Sequence, residues 1–206
     1  MSGPGLPYHH GALRTALIDA TEALLAEKGV DAFSLREVAR RAGVSPAAPA
    51  HHFGDAAGLL TVVATSGFEQ LTQALEAGNA RGGNDPRAAL REQGIGYVHF
   101  ALQHPGRYGL MFRQWQLRDD PELQRHAIAS FEVLARGVER AAGRSAAHRE
   151  QAVVALWSLV HGYALLAVAG KFGLLASPAD VATYVDTTLP PMLDAVLLGL
   201  LPTRQR

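Results

Sequence analysis

The stretch SLREVARRAGVSPAAPAHHF, which runs from Ser34 to Phe53, decides the fold of this 206-residue chain. Its apolar positions predict two short helices, and Gly43 lies between them. Glycine readily takes the left-handed conformation that a tight turn between helices needs. The pattern is typical of a helix-turn-helix, although two short helices of this kind also occur in helical bundles that bind no DNA.

Both short helices carry start signals. Ser34 and Glu37 fit the S-x-x-E capping box. Ser45 followed by Pro46 predicts the start of the second helix, because serine caps N-termini and proline suits the first helical position. We expect this helix to present small residues, which allow close approach to base edges, and histidines, which donate to phosphates or bases: Ala47, Ala48, His51 and His52.

Helical patterns also flank this stretch. Helix 1 is predicted from about His10 to Lys28, and helix 4 from about Ala56 to Ala77. The glycine-rich segment 78–86 is the best candidate for a domain-level break. Further helices are predicted at 86–104, 121–143, 145–172 and 177–201, with a short helix or an irregular turn at 105–115. The pair Pro190-Pro191 is expected to kink or break the last helix. The sequence therefore predicts an all-α fold of about nine helices.

Composition limits the classes of protein. The chain is 48% hydrophobic and 18% charged, which is typical of a globular protein, and it contains no cysteine. The absence of cysteine excludes disulfides and thiolate metal sites. Residues 152–169 are apolar enough to suggest a membrane span, but they contain Ser158, His161 and Gly162, so we expect a buried or interface helix. We see no signal peptide and expect a cytoplasmic protein that does not associate with membranes.

Charge alone does not indicate nucleic-acid binding. The formal net charge is zero, and residues 1–55 carry five Lys or Arg against six Asp or Glu. A DNA-binding interpretation must therefore depend on where the charges lie.

The string ALIDATEALLAEKGVDAFSLREVARRAGVSPAAPAHHFGDAAGLL closely resembles the DNA-binding domain of the TetR family of transcriptional repressors. The opening YHHGALR and the later W-S-L-V-H-G, with Trp157, His161 and Gly162, resemble one branch of that family. The resemblance implies a helix-turn-helix domain over residues 1–55 and a helical domain for ligand binding and dimerisation over 56–206, with helix 4 as connector. It also implies that operator DNA, a small-molecule effector and a second copy of the chain are partners.

Two positions depart from the family pattern. The family usually has an aromatic residue where this chain has Ala50, and a lysine where it has Ala56; both family residues commonly contact DNA phosphates. The residues we expect at the DNA are Ser34, Arg36, Arg41, Ser45, Pro46, Ala47, Ala48, Ala50, His51, His52 and Ala56.

For the C-terminal half, the resemblance implies a ligand cavity within helices 5 to 8 and dimerisation through the last two helices. The candidate effector residues form an aromatic and Met-containing set with one conspicuous histidine: Tyr97, Phe100, Met111, Phe112, Trp115, Phe131, Trp157 and His161. Aromatic walls with few polar groups suit a small lipophilic or mildly polar effector. The alternative is that these residues are ordinary core, and that His161 is a structural histidine.

The sequence can be interpreted in terms of three functions. The first is a ligand-responsive regulator, a repressor that a small molecule releases from its operator. The second is a protein of the same fold with weak or lost DNA binding, which acts through ligand or protein contacts; Ala50 and Ala56 favour it. The third is an enzyme, but the sequence contains no HExxH, P-loop or GxSxG motif. We therefore expect no catalytic residues, no metal and no cofactor.

Overall fold

A computed structural model describes residues 8–142, 146–174 and 181–201, and in these ranges it contains helices and no strand. The α-helices of this part of the chain are α1 Tyr8–Lys28, α2 Leu35–Arg41, α3 Ala48–Phe53, α4 Ala56–Gly82, α5 Pro86–Gln103, α6 Pro105–Met111, α7 Pro121–Ala142, α8 Ala146–Val168 and α9 Val181–Leu200. Short 3₁₀ turns occupy Val30–Ala32, Gln114–Gln116 and Lys171–Leu174. The predicted all-α fold is confirmed.

The chain forms two compact units. The N-terminal unit contains residues up to Gly67 together with the segment Gly106–Gln124, and the C-terminal unit contains Phe68–Pro105 and the residues from Arg125 onward. The segment 106–124 therefore packs with the first helices although it lies far from them in sequence. The predicted division at residues 55 and 56 remains a prediction.

Three arginines of the segment 106–124 pair with acids of the N-terminal helices and turns. Arg107 is buried and pairs with Glu22 on α1. An Arg113 Nη1 lies 2.8 Å from Asp31 Oδ1. Arg118 pairs with Asp55, in the turn between α3 and α4. Because these contacts fall on three different elements, they fix the segment to the unit along its length.

In the C-terminal unit, α5 packs against both α8 and α9. Leu189, Leu193 and Leu197 recur every four residues and are all but inaccessible to solvent, so one face of α9 is core. The His99 side chain on α5 also lies 2.7 Å from the Asp186 carboxylate on α9. Packing of this stripe explains why α9 continues through Pro190 and Pro191.

Several expected helix boundaries are wrong. The predicted break at Pro190-Pro191 is absent, because α9 is held on both sides of the prolines by its buried leucines, whereas the predicted kink remains a prediction. Segment 78–86 is not a break over its whole length, since α4 continues to Gly82. Helix α8 ends at Val168 rather than at Phe172, because Gly170 takes a positive φ. The expected starts at Ser145 and Ser177 and the expected end at Gly143 lie outside the described residues.

One helix in the described ranges, His148–Val168, is long and apolar enough to cross a membrane by length and composition. Core helices meet the same criterion, and α8 buries part of its apolar surface in the cluster formed with Leu90, Val138 and Leu197. The feature carries little weight as a membrane signal.

Candidate DNA-binding face and effector site

Helices α2 and α3 form the predicted helix-turn-helix. Ser34 caps α2, and its hydroxyl accepts the backbone N–H of Glu37 at 3.4 Å. Gly43 follows α2 with a φ of 67°, the left-handed conformation that the turn requires. At the far end of α3, the Arg14 guanidinium lies 5.4 Å from the ring centroid of Phe53, which ties α1 to α3.

The expected start of α3 is wrong. The helix begins at Ala48 with Ala47 as its N-cap, and the backbone N–H of Ala48 bonds to the Ser45 carbonyl in a turn of its own. Pro49 then occupies the first turn of the helix, where its missing N–H has no intrahelical partner to lose. Ser45 and Pro46 therefore belong to the turn and not to α3.

Most of the predicted DNA-contacting side chains are open to solvent. The exposed ones are Ser34, Arg36, Ser45, Pro46, Ala47, Ala50 and His51, and the half-buried ones are Arg41, Ala48, His52 and Ala56. None of them is in the core, so the turn and α3 present a continuous surface of small and polar side chains.

Ion pairs distinguish the arginines of α2. Arg40 and Arg41 both donate to the Glu37 carboxylate, and Arg41 also pairs with Glu27. The hydrogen bond from Arg40, and then that from Arg41, lower the pKa of Glu37 to about 2. Arg36 is exposed and has no carboxylate partner among the described residues. A DNA phosphate would therefore compete with fewer carboxylates for Arg36 than for Arg40 or Arg41.

In the C-terminal unit, four of the predicted effector residues lie together. The Tyr97 hydroxyl is 2.8 Å from Nδ1 of His161. The Trp157 ring centroid is 6.3 Å from that of His161, and the Phe131 and Trp157 rings meet edge to face at 5.6 Å. These residues come from α5, α7 and α8, and we call them the aromatic cluster.

The cluster has a buried side and an open side. Tyr97 is 5% exposed, whereas Trp157 and Phe131 are 41% and 42% exposed. Burial lowers the pKa of His161 below its ordinary value, so its imidazole is neutral at neutral pH. A neutral imidazole and a phenol at one end of two exposed rings can bind a planar apolar molecule that carries a polar group.

The other predicted effector residues lie elsewhere. Phe100 packs on His104 and lines an open cleft of about 680 Å³ between α4 and α5. Met111, Phe112 and Trp115 belong to the N-terminal unit, where Met111 is buried, Phe112 packs on Tyr108, and Trp115 is 78% exposed.

Gln93 is a candidate that the sequence pattern did not reveal. It lies one helical turn before Tyr97 on α5 and is 2% exposed. Its Nε2 donates to Asn79 and to the Val133 carbonyl, but its Oε1 is buried and accepts no hydrogen bond from the described residues. The sequence did contain a signal for Gln93, because it lies four residues before Tyr97 on an otherwise apolar helix face. In the described ranges, no group of three His, Asp or Glu side chains could hold a metal ion.

Comparison with known proteins agrees with this arrangement. Residues 17–63 match the family described as "Bacterial regulatory proteins, tetR family", and residues 90–189 match the "Tetracyclin repressor-like, C-terminal domain". The chain is 36% identical over 78 residues to the HTH-type transcriptional regulator BetI of Stenotrophomonas maltophilia. That match covers 38% of this chain and spans about 40% of the length of the relative.

Solved structures extend the similarity to almost the whole chain. A protein of unknown function from Rhodococcus sp. RHA1 is 32% identical, with a TM-score of 0.77 over 96% of this chain and 100% of that one. A TetR variant from Acinetobacter baumannii AYE, in complex with minocycline, shares the fold at 19% identity, with a TM-score of 0.60 over 94% and 96% of the two chains. With an N-terminal helix-turn-helix and a C-terminal helical domain that both match, this chain belongs to the TetR family of transcriptional regulators.

Proposed function

We propose that this protein is a ligand-responsive repressor, which binds operator DNA as a homodimer in the cytoplasm and is released by a small aromatic molecule. The observation that carries the proposal is the exposed surface of the α2–α3 helix-turn-helix. The effector and the dimer are supported by separate features of the C-terminal unit.

The DNA face combines small side chains with donors. Ala47 and Ala50 are exposed and leave the backbone of α3 free to approach base edges, while His51 supplies a donor at the same surface. Arg36 supplies a cation for a phosphate near the start of α2. Arg41 is held by Glu27 and Glu37, so we expect it to orient α2 rather than to bind DNA.

Dimerisation is supported by the apolar surface of α8 and α9. Val154, Leu165 and Leu166 on α8 and Met192 and Leu198 on α9 are each at least 40% exposed. Exposed apolar side chains on two neighbouring helices indicate an interface, and a second copy with the same two helices would bury them symmetrically.

The aromatic cluster supports an aromatic effector. The rings of Phe131 and Trp157 are partly exposed and inclined to each other by 70°, and Tyr97 with neutral His161 offers hydrogen bonding at their buried end. The Oε1 of Gln93, one turn away, accepts no hydrogen bond from the described part of the chain, which favours an effector that carries a hydrogen-bond donor. The minocycline bound by the Acinetobacter TetR variant is a molecule of this general kind.

The same rings have a second interpretation. Trp157 lies one turn from Val154, and His161 lies one turn from Leu165, so the cluster adjoins the apolar face of α8. Trp157 and Phe131 would then be covered by the second copy and not by an effector. Fluorescence of Trp157 separates these interpretations, because one predicts a response to ligand and the other a response to dilution.

A protein of the same fold with weak or lost DNA binding is the alternative function. It is favoured by Ala50, which is exposed, and by Ala56, which begins α4, since neither methyl group donates to a phosphate. The alternative predicts that the protein binds its upstream DNA no better than random DNA.

A mobility-shift titration tests the proposal. The full chain is mixed with the DNA directly upstream of its own gene and with a random duplex of equal length. We expect a shifted complex that forms at lower protein concentration on the upstream DNA, and about tenfold weaker binding by Arg36→Gln. Lys28→Gln, which removes an exposed cation at the end of α1, is the matched control and should bind like the wild type. Equal binding of both duplexes would support the alternative.

A further inference from the structure

Asp55 is an acid in an unfavourable place for a DNA-binding protein. It lies in the turn that follows α3 and directly precedes Ala56, and its side chain is 61% exposed. Its Oδ1 accepts the backbone N–H of Gly58 at 2.8 Å, so the carboxylate is fixed at the start of α4. An unpaired carboxylate here would repel the phosphates that the adjacent DNA face is proposed to meet.

Arg118 covers this carboxylate from the segment that follows α6. Its Nη2 lies 2.9 Å from Asp55 Oδ2. Its backbone N–H donates to the Thr61 hydroxyl at 2.9 Å, which anchors the residue to α4 independently of the guanidinium. Arg118 is therefore held by its backbone hydrogen bond to Thr61 as well as by its ion pair with Asp55, so the guanidinium is kept near the carboxylate.

Two glycines make room for the guanidinium. A Cβ atom at Gly54 would lie 2.9 Å from Arg118 Nη2, whereas one at Gly58 would clash first with the Phe53 carbonyl oxygen and would also lie 3.1 Å from the central carbon of the guanidinium. Gly54 also has a φ of 82°, so the turn that ends α3 requires glycine for its backbone as well. The end of the helix-turn-helix is thus shaped around an arginine from a distant part of the sequence.

The charge state agrees with this geometry. The hydrogen bond from Arg118, followed by the backbone N–H of Gly58, lowers the pKa of Asp55. Asp55 is therefore ionised at neutral pH, and Arg118 offsets its charge. Residues 1–55 carry one more acid than base, so each acid that is paired from outside this stretch improves its electrostatic match to DNA.

We propose that Arg118 is a positioning residue for DNA binding, which acts through Asp55 by neutralising and holding its carboxylate beside the phosphate backbone. The proposal rests on the DNA face described under Proposed function. Arg118 itself needs no contact with DNA. Because the repulsion it prevents is electrostatic and independent of base sequence, its effect applies to any duplex and weakens as salt screens the charges.

The test is fluorescence anisotropy of a labelled random duplex at low salt, with full-length wild type, Arg118→Gln, Asp55→Asn and the double variant. Arg118→Gln should weaken binding about fivefold, the size of one surface charge interaction, and the deficit should shrink as salt is raised. Asparagine caps a helix as well as aspartate does, so Asp55→Asn keeps the start of α4 and removes the charge. In the Asp55→Asn background, Arg118→Gln should weaken binding less than it does in the wild type, because the variant then releases no carboxylate beside the phosphates.

Arg113→Gln is the matched control, because it breaks an ion pair of the same segment at Asp31, which is not among the predicted DNA contacts. It should bind DNA like the wild type. The proposal is overturned if Arg118→Gln binds like the wild type, if its deficit is as large in the Asp55→Asn background as in the wild type, or if Arg113→Gln is equally weak. If the wild type itself does not bind the duplex, the proposed function fails as well. That result differs from a wild type that binds the duplex and an Arg118→Gln variant that binds it equally well.

Discussion

The two units expose different kinds of surface. The N-terminal unit presents small and polar side chains on its helix-turn-helix, and five of its acids, Glu22, Glu27, Asp31, Glu37 and Asp55, are paired with arginines of the same unit. In the described ranges, eight of the nine large hydrophobic side chains that are exposed belong to the C-terminal unit, and Trp115 is the exception. The surface of the N-terminal unit suits binding to DNA, whereas that of the C-terminal unit suits apolar contacts that exclude water.

This difference indicates how each unit responds to change. Charge substitutions in the N-terminal unit should alter DNA affinity and its salt dependence with little effect on folding. Substitutions on the exposed apolar face of the C-terminal unit should alter the association of two copies. Substitutions at the neighbouring buried positions should alter the stability of the fold. The predictions below test that contrast, from the largest expected effect to the smallest.

Neighbouring leucines on α9 should behave oppositely. Leu197 is 2% exposed and Leu198 is 63% exposed. Leu197→Asp buries a charge and should destabilise the fold by about 4 kcal/mol or more. Leu198→Asp should leave a folded chain that dissociates at concentrations about tenfold higher than the wild type. Thermal unfolding and sedimentation velocity measure the two effects. A Leu198→Asp variant that remains as tightly associated as the wild type would remove α9 from the interface.

Restoring the absent phosphate contacts should tighten DNA binding. Ala56→Lys should steepen the dependence of log affinity on log salt by about one unit per half-site. Ala50→Tyr adds a hydrogen bond without charge, so it should raise affinity without changing that slope. Salt titrations on upstream and random DNA measure both, with Gln73→Lys, an exposed site further along α4, as the control for added charge. If neither variant binds more tightly, these side chains do not face phosphates.

Tryptophan fluorescence should separate effector binding from dimerisation. The chain has two tryptophans, Trp157 in the aromatic cluster and Trp115, which is 78% exposed. A panel of aromatic compounds with hydrogen-bond donors should contain ligands that quench the wild type, and Trp157→Phe should lose most of that change. A signal from Trp157 that follows protein dilution instead would place the residue at the interface between copies.

The smallest effect that we expect is on how the free energy of unfolding depends on pH. Burial lowers the pKa of His161 in the folded state, so the unfolded chain binds the proton more readily. The free energy of unfolding should therefore be unaffected above about pH 6.5 and should fall as the pH drops below that value. His161→Gln should reduce this decline in denaturant titrations, whereas His148→Gln, at an exposed position, should not. An identical decline in wild type and His161→Gln would mean that the imidazole is solvated.

Local signals in the sequence predicted the N-terminal helices well. The Ser34 cap, the left-handed Gly43 and the Asp85-Pro86 start of α5 were all read correctly, because each depends on a few adjacent residues. The start of α3 was missed because Ser45-Pro46 fits a turn as well as a cap. The continuity of α9 was missed because buried leucines hold the helix through its prolines, and that packing is not a local property.

The candidate sites were predicted less completely, for the same physical reason. Tyr97 and His161 are 64 residues apart, and the hydrogen bond between them depends on how α5 packs against α8. The ion pair between Arg118 and Asp55 could not be read from the charge count, because the segment that carries Arg118 returns to the first helices only in the folded chain. Phe100 and Trp115 matched the expected chemistry of an effector site but lie outside the aromatic cluster.

The most direct test of the central claim is sedimentation of a labelled upstream duplex with the full chain, in the presence of excess random DNA. A dimeric repressor should give a complex whose added mass is an even number of chains. Its formation should be weakened in Arg36→Gln, which loses a phosphate contact, and in Leu198→Asp, which loses the dimer. A duplex that sediments free of protein at micromolar concentration, or a complex with a single chain, would contradict the central claim.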